Sequence, residues 1–382
     1  MGDGKISRRY FMMGTAAAVG GLAATTRVAH ARKVSPNEKL NIAGIGVGGQ
    51  GGNDIDNLNT ENIVALCDVD DAHAAKVYKR YPNAKTYRDY RVMFDKQKDI
   101  DAVVIGTPDH QHAIISMAAI QLGKHVYCEK PLTHSIHEAR VVAEAARSAK
   151  VATQMGNQGQ ASEEARVLCE LIWDGAIGNV REIHGWCNRN PSISPRGMAR
   201  PQGSTPIPAT LDWDLWLGPA PARPFVEKTY QPFIWRGWWD FGTGVLGDIG
   251  CHNFSAIFKA LKLGAPTSVE ATSTHAQDPP EVVSESAPTA SIVRYEFPAA
   301  GDRPAVTLTW WDGGLIPWRP EELEPERQMG GGDGMLYVGD KGKILNTGKK
   351  ILWDSATMTV TNVPEANAFV NPPYREGWSL GA

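Results

Sequence analysis

The segment KLNIAGIGVGG, residues 39–49, constrains the fold of this chain more than any other stretch. Its apolar run from Leu40 to Ile45 reads as a buried strand. Gly44, Gly46 and Gly49 then fall in the spacing G-x-G-x-x-G. Glycine meets three needs there: a tight turn, close approach of backbone to a pyrophosphate, and packing of the next helix on the strand. The N-terminus of that helix offers free N–H groups and a positive dipole end to the phosphates. A second apolar run, NIVALCDVD at 62–70, contains Asp68 about 20 residues beyond the last glycine, the spacing of a ribose-binding acid. A carboxylate at the end of a second strand accepts hydrogen bonds from ribose hydroxyls and repels a 2′-phosphate. It therefore favours NAD over NADP.

The alternation continues after that unit. Residues 72–80 read as a helix, DIDAVVIGTP at 99–108 as a strand, and HQHAIISMAAIQLG as a helix closed by Gly123. KHVYCEKP, SIHEARVVAEAARSAK and VATQMGNQ extend the pattern as strand, helix and strand. Such alternation predicts an α/β fold with a parallel sheet covered on both faces, here a Rossmann dinucleotide-binding domain over residues 38–157. Ligands of such sheets sit at the carboxyl ends of the strands. Those ends are Asp68, Thr107-Pro108, Glu129-Lys130-Pro131 and Gly156-Asn157-Gln158. With 382 residues the chain has length for a second domain of similar size. Lys and Arg total 39 against 42 Asp and Glu, a net charge of −3, so there is no basic footprint for nucleic acid. The 5 cysteines form no C-x-x-C pair, which argues against a disulfide framework or a metal site and for buried free thiols.

Ahead of the first strand, Ser7-Arg8-Arg9-Tyr10-Phe11 resembles a twin-arginine export signal. The Ala- and Gly-rich run from Met12 to Ala24 is shorter than the roughly 20 residues of a membrane span. Ala29-His30-Ala31 has the small-x-small pattern of a cleavage site. Residues 1–31 are therefore expected to be a signal peptide, the mature chain to start near Arg32, and the location to be periplasmic.

The second domain is expected over residues 158–345, followed by a tail at 346–382. LCELIWDGAIGNVREIHGW gives a helix, a turn through Gly178 and a strand. Residues 188–208, rich in Pro, Ser, Gly and Arg, read as a long loop over the cleft. A helix is expected to start near Leu246 and run to Leu261, which puts Asp248 and His252 at i and i+4 on one face. Trp235, Arg236 and Trp239 lie just before it. Indole faces suit the C–H faces of sugar rings, and a guanidinium can fork onto hydroxyls; the same aromatics also read as core of a sheet domain. The last segments, APTASIVRYEF, AVTLTWWDGG and GMLYVGDKGKI, read as strands, the last a hairpin turning at Gly-Asp-Lys-Gly.

Taken together, GxGxxG, TPDHQH and EKP in this order resemble the Gfo/Idh/MocA oxidoreductase family over roughly residues 38–345. The resemblance implies a second α/β domain with an open, mainly antiparallel sheet that shapes the substrate site and often the oligomer interface. It implies NAD as cofactor, a sugar or polyol as substrate, and a homo-oligomer. By resemblance Lys130 belongs to the family's E-K-P motif, near the nicotinamide and the substrate hydroxyl, with Glu129 orienting it. Asp248 and His252 match its Asp-x-x-x-His pair, a hydroxyl-binding acid and a general base. Thr107, Pro108, His110 and Asn157 would line the cofactor cleft, while His112 reads equally as structural. Relatives carry a further helix beyond the hairpin, whereas here KGKIL runs directly into NTGKKILWDSATMTV. Two other functions fit the same motifs. One is a redox-neutral glycosidase that oxidises, eliminates, adds water and reduces again on a held NAD. The other is a non-catalytic periplasmic protein that binds sugar or nucleotide.

Overall fold

The computed structural model describes residues 38–188, 196–330 and 332–346, and the backbone at 353–354 and 359–360. The expected signal peptide, most of the tail and part of the 188–208 loop lie outside the described residues.

Strands β1 (Asn41–Ile45), β2 (Asn62–Cys67), β3 (Lys85–Tyr87), β4 (Ala102–Ile105), β5 (His125–Glu129) and β6 (Thr153–Gly156) form one parallel sheet in the order β3-β2-β1-β4-β5-β6. Helices α1 (Gln50–Asn57), α2 (Asp71–Arg80), α3 (Tyr90–Lys96), α4 (Asp109–Gln121) and α5 (Ile136–Ala149) connect them. The strand runs are continuously apolar because each face is covered. Ile42, Val104 and Leu66 pack with Ile55 and Val77 on one side, and Ile45, Val103 and Ile105 with Ile115 and Ile120 on the other. Local signals set the helix starts. Asp70 caps α2 by accepting from Ala72 and His73 N–H, and Ser135 and Glu138 form a capping box on α5. β3 was not expected from the sequence. It is a short, exposed edge strand without an apolar run.

The second domain carries α6 (Glu163–Trp173), β7 (Val180–Cys187), α7 (Trp213–Leu217), α8 (Gly244–Leu261), β8 (Ser268–Ser273), α9 (Pro280–Val283), β9 (Ser291–Phe297), β10 (Val306–Asp312), β11 (Gly334–Gly339) and β12 (Lys343–Asn346). Its sheet runs β12-β11-β7-β10-β9-β8 and is antiparallel except at β7/β10. One sheet face packs on α6 and α8 through Ile183, Leu308, Met335 and Tyr337. The expected hairpin is β11–β12. Most of the tryptophan-rich stretch is a core of its own. Trp213, Trp216, Tyr230, Trp238 and Phe241 pack together over the buried Arg223, whose guanidinium lies 4.8 Å from the Phe241 ring centre. No described helix is long and apolar enough to cross a membrane, and the described cysteines are free thiols.

Candidate active site

A cavity of about 630 Å³ runs along the carboxyl ends of β1, β2, β4 and β5 and is roofed by the second domain. It lies where the strand order reverses beside β1, the position at which such sheets take ligands. Gly46 and Gly49 have φ of 73° and 62° and line its floor. A Cβ on Gly46 would lie 2.6 Å from the Thr107 nitrogen, and one on Gly51 2.0 Å from the Gly46 oxygen. The loop and α1 are thus packed backbone on backbone, leaving the space above them to a ligand. Gly44 does not line the cavity; its missing side chain makes room for Val47 and Ile55.

Asp68 marks one end of the cavity. Its carboxylate accepts from Gly48 N–H at 2.9 Å and Asp70 N–H at 3.0 Å, and each oxygen keeps capacity for a ribose hydroxyl. Burial raises its pKa, while those backbone bonds oppose the rise. The segment before α7 closes over this end. Asp71 N–H donates to the Thr210 carbonyl at 3.1 Å and Asp212 N–H to the Val69 carbonyl at 2.9 Å. The glycine cradle, the acid and the cavity's volume fit a dinucleotide.

At the other end the two domains bring Lys130 and Asp248 together. Lys130 Nζ donates to Asp248 Oδ1 at 2.5 Å and to the Asp248 carbonyl at 3.0 Å. Arg236 Nε stands 3.5 Å from the same Oδ1. The Arg236 guanidinium sits 3.7 Å from the Phe233 ring centre and 4.3 Å from that of Trp235. Lys130, Trp235, Arg236 and His252 all line the cavity. A cation on a Rossmann strand end, a carboxylate and an imidazole on one helix therefore meet at one place.

Thr107 and Pro108 line the cavity as expected from the sequence, and Glu129 does too. Besides Gly44, and Asp248 whose carboxylate reaches the site through Lys130, three expected site residues do not. His110 is buried away from the cavity, its ring nitrogens 3.3 Å from the Phe241 carbonyl and 3.1 Å from that of Trp216. Burial pulls its pKa down to about 4, so the ring is neutral and its one N–H donates to one of these carbonyls. Asn157 instead donates to Ser255 Oγ at 2.7 Å, fastening β6 to α8, and its neighbour Gln158 takes the cavity position. Trp239 donates its indole N–H to the Val283 carbonyl at 3.1 Å, off the cavity. The backbone at Trp238 is extended, so successive side chains point opposite ways; Trp238 enters the core and Trp239 leaves it.

Other residues of the site were not expected from the sequence. His112, whose reading was open, is wedged between two strand ends: Nδ1 lies 2.6 Å from the Pro131 carbonyl and Nε2 2.8 Å from that of Thr107, and the neutral ring donates to one of the two. This fixes the loop that carries Lys130. Asp109 is fully buried under the Lys130–Asp248 pair and accepts from Thr243 Oγ1 at 3.0 Å. Burial first, and Asp248 second, push its pKa up to about 7. Its sequence signal is a carboxylate directly after the Thr107-Pro108 strand end.

Comparison with known proteins agrees with this geometry. Residues 40–157 match the family model described as "Oxidoreductase family, NAD-binding Rossmann fold", and residues 198–286 that described as "Oxidoreductase family, C-terminal alpha/beta domain". The chain is 30% identical over 164 residues to an inositol 2-dehydrogenase of Rubrobacter xylanophilus, covering 42% of this chain and 46% of that protein. It is 29% identical over 210 residues to a glycosyl hydrolase family 109 protein of Shewanella sp., covering 47% and 45%. The chain thus spans less than half the length of these curated relatives. The crystal structure of GenD2 from gentamicin A biosynthesis in complex with NAD superposes with a TM-score of 0.57 at 19% identity, over 88% of this chain and 79% of that one, a likeness of fold. With both of its domains matched in order, the chain belongs to the Gfo/Idh/MocA oxidoreductase family, and its first domain is that family's NAD-binding Rossmann fold.

Proposed function

We infer that the protein is an NAD-dependent oxidoreductase acting on a sugar or polyol. The observation that carries this reading is the 2.5 Å contact of Lys130 Nζ with Asp248, beside the cavity that His252 also lines. When bound, the nicotinamide supplies a hydride acceptor or donor. Lys130 holds the substrate oxygen and stabilises the negative charge that grows on it as the C–H bond breaks. His252, one turn further along α8, takes the hydroxyl proton as general base. Asp248 orients Lys130 and accepts from a neighbouring hydroxyl. Arg236 and Trp235 give the cavity wall a donor edge and an aromatic face for a polyhydroxylated ring. The similarity to an inositol 2-dehydrogenase supports a CH–OH substrate. The test is to purify the full chain, look for co-purified nucleotide by its absorbance, and follow NADH formation across a panel of sugars and inositols. Failure to hold or bind NAD would remove the reading.

A second reading has its own support. The similarity to a glycosyl hydrolase family 109 protein extends over 210 residues, more than the 164 of the inositol dehydrogenase. With a held NAD as the transient hydride acceptor, oxidation assisted by the same residues would acidify the adjacent C–H bond and permit elimination of an aglycone. Release of a chromogenic aglycone without net NADH would select it. The Arg8-Arg9 segment supports export of the folded protein with its cofactor inside, which suits a nucleotide that is held rather than exchanged. A fusion of residues 1–40 to a reporter active only after folded export tests that part.

A further inference from the structure

Beneath the glycine loop, Asp54 of α1 meets Glu129 at the end of β5. Both are buried, with exposures of 8% and 5%, and their side chains lie within hydrogen-bonding range. The remaining contacts of this pair come from fixed donors. Gln50 Nε2 donates to Asp54 Oδ1 at 2.8 Å, Gln158 Nε2 to Glu129 Oε1 at 3.1 Å, and Lys130 N–H to Glu129 Oε2 at 3.3 Å. Asp54 Oδ2 alone has no partner among the described residues. Two ionised carboxylates at contact repel strongly, and a shared proton both relieves that repulsion and supplies the missing bond.

We propose that Asp54 and Glu129 share one proton, and that this pair binds protons in step with the charge on the nicotinamide. Glu129, Gln50 and Gln158 line the cavity, so the pair's charge reaches, through Glu129, the space that a bound nucleotide would fill. An oxidised nicotinamide ring carries a positive charge and favours the singly protonated pair; a reduced ring is neutral and lets the pair take up more of a second proton from solvent. The charged or titratable groups around the pair are Lys130 and Tyr127 from β5 and Arg236 from the second domain. Burial raises both carboxyls, Asp54 to about 6 and Glu129 to about 7, the range in which such a pair exchanges protons at neutral pH. Gly156 keeps the arrangement open, since a Cβ there would lie 2.3 Å from Glu129 Oε1.

The inference rests on the reading that the cavity takes NAD, and the test separates the two. NAD⁺ and NADH are titrated by calorimetry into the nucleotide-free full chain between pH 6 and 8, in buffers of different ionisation enthalpy. The expected result is greater proton uptake with NADH than with NAD⁺ near pH 7, and an NAD⁺:NADH affinity ratio that rises severalfold from pH 6 to 8. Asp54→Asn and Glu129→Gln should each flatten that ratio. Binding of neither nucleotide overturns the cofactor reading. Binding of both with equal proton exchange in the wild type overturns the shared proton, whether or not the variants fold. Persistence of the pH-dependent ratio in folded Asp54→Asn and Glu129→Gln overturns it equally.

Discussion

Replacing Asp109 by Asn should stabilise the protein at alkaline pH and far less in mild acid. The carboxyl is 2% exposed and sits in Coulomb range of Asp248, Arg236 and Lys130. Burial lifts its pKa from 3.8 to about 7. The folded protein therefore keeps a proton that the unfolded chain gives up near pH 4. The stability that this proton brings is complete below the unfolded pKa, is lost as pH rises from about 4 towards 7, and stays lost above that. A gap of about 3 pKa units corresponds to about 4 kcal/mol. An Asn keeps the acceptor for Thr243 Oγ1 and carries no charge. At pH 8 the variant should therefore be up to about 4 kcal/mol more stable than wild type, and at pH 4.5 only about 1 kcal/mol more stable. For a chain of this size the difference at pH 8 is a rise of about 6 °C in melting temperature. Thermal melts of both proteins from pH 4.5 to 8.5, stripped of nucleotide, read the difference directly. Parallel curves across that range would refute the account of Asp109, as would an Asn variant that is the less stable protein at pH 8.

Lys130→Met keeps the apolar stem and leaves Asp248 beside Arg236, so turnover should fall by about 100-fold or more while nucleotide affinity stays within a few-fold; steady-state rates and a binding titration check both. Gly51→Ala puts a methyl 2.0 Å from the Gly46 oxygen, a backbone atom that cannot step aside, so the variant should lose nucleotide binding and melt several degrees lower. Asp68→Ala removes an acceptor for ribose hydroxyls together with the charge that repels a 2′-phosphate. NAD affinity should drop by about tenfold and the preference for NAD over NADP should shrink, measured by parallel titrations of the two nucleotides.

The first domain is legible in the sequence because its central strands are buried on both faces, which writes them as unbroken apolar runs such as AVVI and NIVALC. Short or solvated edges write nothing comparable. β3 is three residues long, and β8, SVEATS, is exposed along most of its length. Residues of the site at strand ends were legible for the same topological reason. Thr107, Glu129 and Lys130 face the cavity because β4 and β5 end there. Spacing alone does not carry the meeting of Lys130 with Asp248, which are 118 residues apart. Only the resemblance of motifs brought them together. Side-chain direction was the part that failed. His110 and Asn157 lie at the right ends of the right elements, yet point to Phe241 and Ser255 rather than into the cavity. Asp109 and Asp54 escaped notice because a single acid in a helix reads as solvated until its neighbours are known.

The first turn of α4 shows why residues outside the reactive cluster still bear on its chemistry. Asp109 accepts from Thr243, His110 N–H donates to the Phe241 carbonyl, and Gln111 donates to the Leu215 and Trp216 carbonyls at 3.2 and 2.7 Å. Three successive residues thus tie the Rossmann domain to the C-terminal end of α7 and to the loop that leads into α8. The position of Asp248 relative to Lys130 follows from that joint, since neither domain alone holds both groups. At the far end of the cavity, the backbone bonds of Val69 and Asp71 to residues 210 and 212 make a second joint over Asp68. With both ends fastened by buried or backbone hydrogen bonds, swinging the domains apart would break the reactive cluster and the ribose end together. The loop around Gln231 and Phe233 lines the cavity without taking part in either joint.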